Sequence, residues 1–165
     1  MTNMTSEILT RQIRMNDYIA RQNLDGITHD ESLVRSAADG THINWIVGHI
    51  VGIRCAVLPA LGQEPVLDAQ QAKAYRVELR DETPLLPFDD VVAAFHQSTE
   101  RMLAGVANAT DETYAAKAPF SPGNDPNETI GTLLTKFMVH EGYHLGQTGI
   151  LRRVAGKPGA IKGPR

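Results

Sequence analysis

Four stretches of this 165-residue chain carry apolar residues at intervals of three and four, and no stretch of useful length alternates apolar with polar. A period near 3.6 marks amphipathic helices, and the missing period of two leaves no material for a sheet. The first stretch, about 6–24, lines up Leu9, Ile13, Ala20 and Leu24 with Asn16 among them; Ser6 is its expected N-cap and Gly26 its stop. The second, about 42–61, is expected to be capped by Thr41 and to end near Pro59 and Gly62. The third, about 88–106, opens on Asp89 and Asp90, acids that suit the positive end of a helix dipole. The fourth, about 128–154, closes at Gly156 and Pro158. A short helix is expected within 69–79. The expected fold class is therefore all-α: a four-helix bundle forming one domain over 1–165. Two of its connections are too long for a minimal hairpin bundle, so at least one long crossover connection is expected.

Composition narrows the function classes. One cysteine, Cys55, permits no internal disulfide and no thiolate-rich zinc cluster, and its expected place is the core. A net charge of −3 lacks the basic excess of a nucleic-acid binder. The start shows no basic segment followed by an apolar one, and the greasiest run, Ile43 to Gly62, contains Asn44, His49 and Arg54. The expectation is a cytoplasmic protein with neither a nucleic acid nor a membrane as partner. The last 24 residues hold five Lys and Arg and no acid, which fits cations at a helix C-terminus followed by a solvated tail.

Six histidines are the unusual supply. His140 and His144 stand at i and i+4, on one helix face and about 6 Å apart along the axis. They continue a stripe of Leu133, Phe137, Gln147 and Leu151 at spacings of four and three. A lone inward histidine is satisfied by hydrogen bonds, but two adjacent buried rings need several partners, and a shared divalent cation meets that need. A catalytic ion commonly takes a third protein ligand and keeps an open position. The second helix offers His49 in a stripe of His42, Ile46, Ile53, Ala56 and Ala60. His49 ranks as third ligand and His96 is the alternative. His42, about 10 Å further along the axis, is expected to cap or to line a pocket. His29 is expected in a solvated loop.

The string His140-Glu141-x-x-His144 also matches the zincin protease pattern, in which the Glu is the general base. The surroundings exclude it: the extended form needs Gly and His where Gln147 and Ile150 stand, and no acid follows Glu141 to act as a third ligand. Glu141 lies about 100° around the helix from His140, so it is expected on the surface or beside a ligand.

The segments Asn44-Trp45-Ile46-Val47-Gly48-His49-Ile50 and His140-Glu141-Gly142-Tyr143-His144-Leu145-Gly146-Gln147, followed by Leu151-Arg152-Arg153, resemble the DinB/YfiT-like superfamily, and Asn16 fits its usual pattern. The resemblance implies a bundle of up-down-down-up order, often a homodimer, with metal ligands at His49, His140 and His144. It also implies a metal-dependent enzyme, a hydrolase or a transferase using a low-molecular-weight thiol.

Around that trio, Glu141 and Gln147 are the candidates for a catalytic role, and Gln147 could orient water or a ligand ring. His42, Trp45, Arg54 and Tyr143 are the candidates for a substrate pocket. Arg54 would bind a substrate carboxylate or pair with an acid across a dimer interface. Zinc or nickel is the expected ion, with iron or manganese as further options. The nearly all-round apolar second helix, including Gly48 and Gly52, needs extra cover, which argues for a homodimer. The competing function, from another class, is a non-catalytic bundle that binds a metal or a ligand for structure or sensing.

Overall fold

The computed structural model describes residues 3–37, 40–76 and 85–161, whose regular elements are helices, with no strand among them. Four long helices dominate: α1 (Met4–Leu24), α3 (Ile43–Val57, continued by a 3-10 turn at Leu58–Leu61), α5 (Phe88–Asn108) and α7 (Ile130–Val154). Three short helices, α2 (His29–Ser32), α4 (Ala69–Ala74) and α6 (Asp111–Ala115), lie in the connections. Residues 77–79 of the short helix expected within 69–79 lie outside the described residues.

The starts differ from expectation for local reasons. The N-cap of α1 is Asn3, whose side chain accepts from the Thr5 and Ser6 amides. Ser6 is instead buried, its hydroxyl 2.9 Å from the Tyr114 phenol. The cap of α3 is not Thr41 but His42, whose Nδ1 accepts from the Trp45 amide at 3.2 Å. An α7 capping box formed by Thr129 and Thr132 sets the start of that helix at Ile130.

α1 packs against α5 and α7, and α3 packs against the same two helices. The buried apolar residues fall into two clusters. One gathers Ala20, Leu24, Ile46, Ile50, Phe95 and Leu145; the other gathers Leu9, Ile13, Val57, Met102, Leu133 and Met138. On every long helix a buried polar group stands where one cluster gives way to the other: Asn16, Arg54, Ser98 with Thr99, and Glu141.

The apolar face of α3 that seemed to need a second chain is covered within this one. A Cβ at Gly48 would lie 2.1 Å from the Tyr75 ring, and one at Gly52 would lie 2.9 Å from the Ala72 carbonyl oxygen. Those two glycines let α4 and Tyr75 settle directly on the helix. The window Ile43–Leu61 is long and apolar enough to cross a bilayer, but 67% of it is buried inside the protein, as in a core helix.

Candidate metal centre

His49, His140 and His144 converge. Each offers one ring nitrogen, and these nitrogens lie within 4.8 Å of one another, with the three side chains half-buried. The Nε2 atoms of His140 and His144 are 3.0 Å apart. Two nitrogens bound tetrahedrally to one ion at about 2.1 Å stand about 3.4 Å apart, so side-chain motion on the order of an ångström would bring the trio onto one ion.

Hydrogen bonds aim two of the rings. His49 Nδ1 is 2.7 Å from the Tyr75 carbonyl oxygen, which can only accept, so Nδ1 carries the proton and Nε2 presents its lone pair. His144 Nδ1 is 2.7 Å from Gln147 Oε1, with the same consequence. The Gln147 amide in turn donates to the Tyr143 hydroxyl at 3.3 Å. Trp45 stacks on His49 at 4.7 Å and 13°, fixing the plane of that ring. His140 is different: its Nδ1 is buried without a hydrogen-bond partner.

All three rings titrate below the ordinary histidine range. Desolvation is the main cause at each, and it brings His140 down to about 4, helped by the charges that His144 and His49 would carry. At His49 the loss of water outweighs the Tyr75 carbonyl, and the Arg76 guanidinium pushes the same way. At His144 burial outweighs the Gln147 bond. The rings are therefore neutral at pH 7 and able to ligate a cation. Three neutral imidazoles whose nitrogens converge, those of His49 and His144 with the lone pair aimed inward, form a donor set that fits a divalent transition metal.

The structure moves the other expected residues. Arg54 is 2% exposed and forms a two-pronged pair with Glu141, Nε to Oε1 at 2.7 Å and Nη2 to Oε2 at 2.9 Å. Its Nη1 donates to Ser98 and Thr99, and its guanidinium lies 4.3 Å from the Phe95 ring centre. It neither faces a substrate nor needs a second chain for a partner. Glu141 is equally enclosed and also accepts from Asn16 Nδ2 at 3.2 Å, so it is not a surface residue. The innermost line of α7 is Leu134, Met138, Glu141, Leu145, Thr148 and Arg152; the histidine line runs beside it. That one-residue rotation leaves the trio half open to solvent.

His42 is buried as a cap, and loss of water with the nearby Arg35 charge lowers it to about 4. Tyr143 is 65% exposed with its ring edge-on to His144. His96 faces Asp17 at 3.3 Å, away from the trio. His29 is not in a plain loop: it opens α2, and its Nδ1 accepts from the Phe88 amide, capping α5 where Pro87 cannot. Cys55 is buried in the core. Arg152 reaches back to cap the end of α1, donating to the Asn23 carbonyl at 3.1 Å. The residue that sequence reasoning missed is Tyr75, whose carbonyl orients His49. Its signal was the pair Gly48 and Gly52, four apart on an apolar helix, which marks a close approach.

Beside the trio lies a small recess of about 210 Å³. His49 stands at its edge, Ile53 and Ala56 come from α3, Phe137 from α7, and Phe120 and Pro122 from the α6–α7 connection. Arg76 completes the lining.

The fold and the site together define a class: an all-α protein whose long helices bring three histidines together as candidate ligands for one cation. The chain belongs to the DinB superfamily, whose family profile matches residues 13–148, a span that includes Asn16 and all three histidines. No curated protein matches the chain.

Proposed function

We propose that this protein is a metal-dependent enzyme acting on a small molecule, with a divalent ion held by His49, His140 and His144. The observation that carries this is the convergence of three uncharged imidazoles at the edge of an apolar recess. An ion there supplies Lewis acidity, enough to make water or a thiol a nucleophile near pH 7. The chain supplies orientation: the Tyr75 carbonyl and Gln147 hold two ring tautomers, and Trp45 holds a ring plane. Hydrolysis and transfer to a low-molecular-weight thiol are the two chemistries this arrangement suits, and zinc or nickel suits the nitrogen donors. The half-open side of the trio favours an enzyme over a closed structural site.

We further propose an up-down-down-up bundle. Its support is the direction of pairing. Asn16 meets Met138 and Asn23 meets Leu145, so α1 and α7 advance together. His49 meets His144 while Arg54 meets Glu141, so α3 and α7 advance oppositely. A homodimer is proposed on new ground: Met15 and Tyr18 on α1 and Val139, Tyr143 and Ile150 on α7 are exposed. On the same two helices Ile19, Gly142, Gly146, Gly149 and Ile150 line a groove. Sedimentation of a single 18.0 kDa species would end that proposal. A free, buried Cys55 suits a reducing compartment such as the cytoplasm.

Metal analysis tests the main proposal. Untagged protein should carry about one divalent ion per chain, and His49→Ala or His140→Ala should abolish uptake. An ion-free protein whose uptake is indifferent to both substitutions would refute it.

A further inference from the structure

We propose that the recess beside His49 selects a small substrate with a compact apolar body and an anionic end, the anion being held by Arg76. This rests on the metal-site proposal only in calling the occupant a substrate; the recognition belongs to the recess itself. At about 210 Å³ the space is below the usual range of ligand pockets, roughly 300–1,000 Å³. It holds a single ring or a short branched chain, and excludes a nucleotide or a folded peptide segment.

Its walls are apolar. Ile53 and Ala56 form one side and Phe137 another, with Phe120 packed against Phe137 at 5.9 Å between centroids. The connection that carries Phe120 and Pro122 is pinned at its base. The Ala118 amide donates to the Glu128 carbonyl, and the Ile130 amide to that of Ala116, each at 2.9 Å. The Ser121 hydroxyl donates to the buried Glu128 carboxylate at 2.8 Å. The wall is therefore built into the fold.

One cation borders this apolar space. The stem of Arg76 lies over Gly52, its Cγ 3.2 Å from where a Cβ would be, so the backbone of α3 fixes where the side chain starts. Among the described residues Arg76 has no acidic partner within ion-pair distance. An exposed guanidinium at the rim of an apolar recess matches a carboxylate by paired N–H donors. The role expected of Arg54, which is locked to Glu141, falls to Arg76.

The test uses phenylacetate and its neutral isostere phenylacetamide, titrated calorimetrically into metal-free and zinc-loaded protein at low ionic strength. The acid should bind about fivefold or more tightly than the amide. Arg76→Gln should erase that difference while metal uptake stays at the wild-type level. Ile53→Trp, which fills the recess, should remove binding of both probes. No binding of the acid, equal binding of the two probes, or a preference that survives Arg76→Gln would overturn the proposal. Acid preference in a protein that takes up no metal would leave the recess proposal standing and defeat the metal reading; metal uptake without acid preference would do the reverse.

Discussion

Glu141 and His140 are neighbours on α7, yet they serve clusters built on opposite principles. Glu141 belongs to a closed layer in which every long helix contributes a polar group: Asn16, Arg54, Ser98 with Thr99, and itself. Its charges are paired and hydrogen-bonded on all sides, and two apolar clusters seal it above and below. His140 belongs to an open cluster of like groups, half-buried, with its Nδ1 unpartnered. The first is a self-satisfied structural unit. The second leaves His140 Nδ1 without a partner and pairs the Nε2 atoms of His140 and His144 only with each other, an arrangement open to binding something else. The difference shows that a buried charge in a helix bundle is not by itself a mark of chemistry; incomplete satisfaction is the better mark.

The largest expected effect comes from breaking the closed layer. Arg54→Met leaves the Glu141 carboxylate buried without its partner, and Glu141→Leu strands the guanidinium. Each should cost about 3–5 kcal/mol of stability in denaturant unfolding. The double variant, which removes both charges, should recover most of that loss. It should also retain metal uptake, because the histidines are oriented by Tyr75, Gln147 and Trp45. A stable double variant that no longer takes up metal would join the two clusters into one machine and undo the comparison.

The histidine trio was legible in the sequence because a spacing of four on a helix survives any small error in the helix's rotation. The role of Glu141 was not, for the same physical reason. The lines through His140 and through Glu141 both keep spacings of four and three, and α7 also carries Val139, Tyr143, Ile150 and Val154 exposed on its outer side. With apolar residues on every side, the pattern could not say which line was innermost. The helices themselves were readable from their periodicity and their Gly and Pro stops. The caps were not, because a histidine ring can replace a hydroxyl: His42 and His29 cap α3 and α5 in place of the usual Ser, Thr or Asp. Arg76 and the Phe120 wall lie in connections, where no period links a residue to the site it will face.

An intermediate effect is expected from His42, which stands with the closed layer in being fully used by the fold. Its ring must be neutral for Nδ1 to accept from Trp45, and its folded value is about 4 against an ordinary 6.5. The unfolded chain therefore takes a proton first as the pH falls. The stability this ring contributes is full above pH 6.5 and is lost progressively as the pH falls toward 4, on the order of 3 kcal/mol in all. His42→Asn keeps a cap but does not titrate, so its stability should fall less steeply over that window. Equal slopes for the two proteins in urea unfolding at several pH values would show that the cap is not the source.

The smallest effect on stability should come from the site proposed to carry the function. In metal-free protein at pH 7, His140→Ala removes a half-buried ring and with it a buried nitrogen that has no partner. The lost packing and the relieved polar atom oppose each other, so the net change should stay within about 1 kcal/mol. The sign should shift with acid. His140 titrates near 4 in the folded protein, so at pH 5 the unfolded wild-type chain gains a proton that the folded ring refuses. The alanine variant has no such proton to bind, so relative to wild type it should become more stable between pH 7 and pH 5. Chelator-treated samples unfolded at both pH values give the two differences directly. A loss at pH 7 as large as that of Arg54→Met would place His140 among the residues the fold depends on. A small loss that turns toward a gain at pH 5 is the behaviour of a residue that opposes folding in acid and on which the fold does not depend.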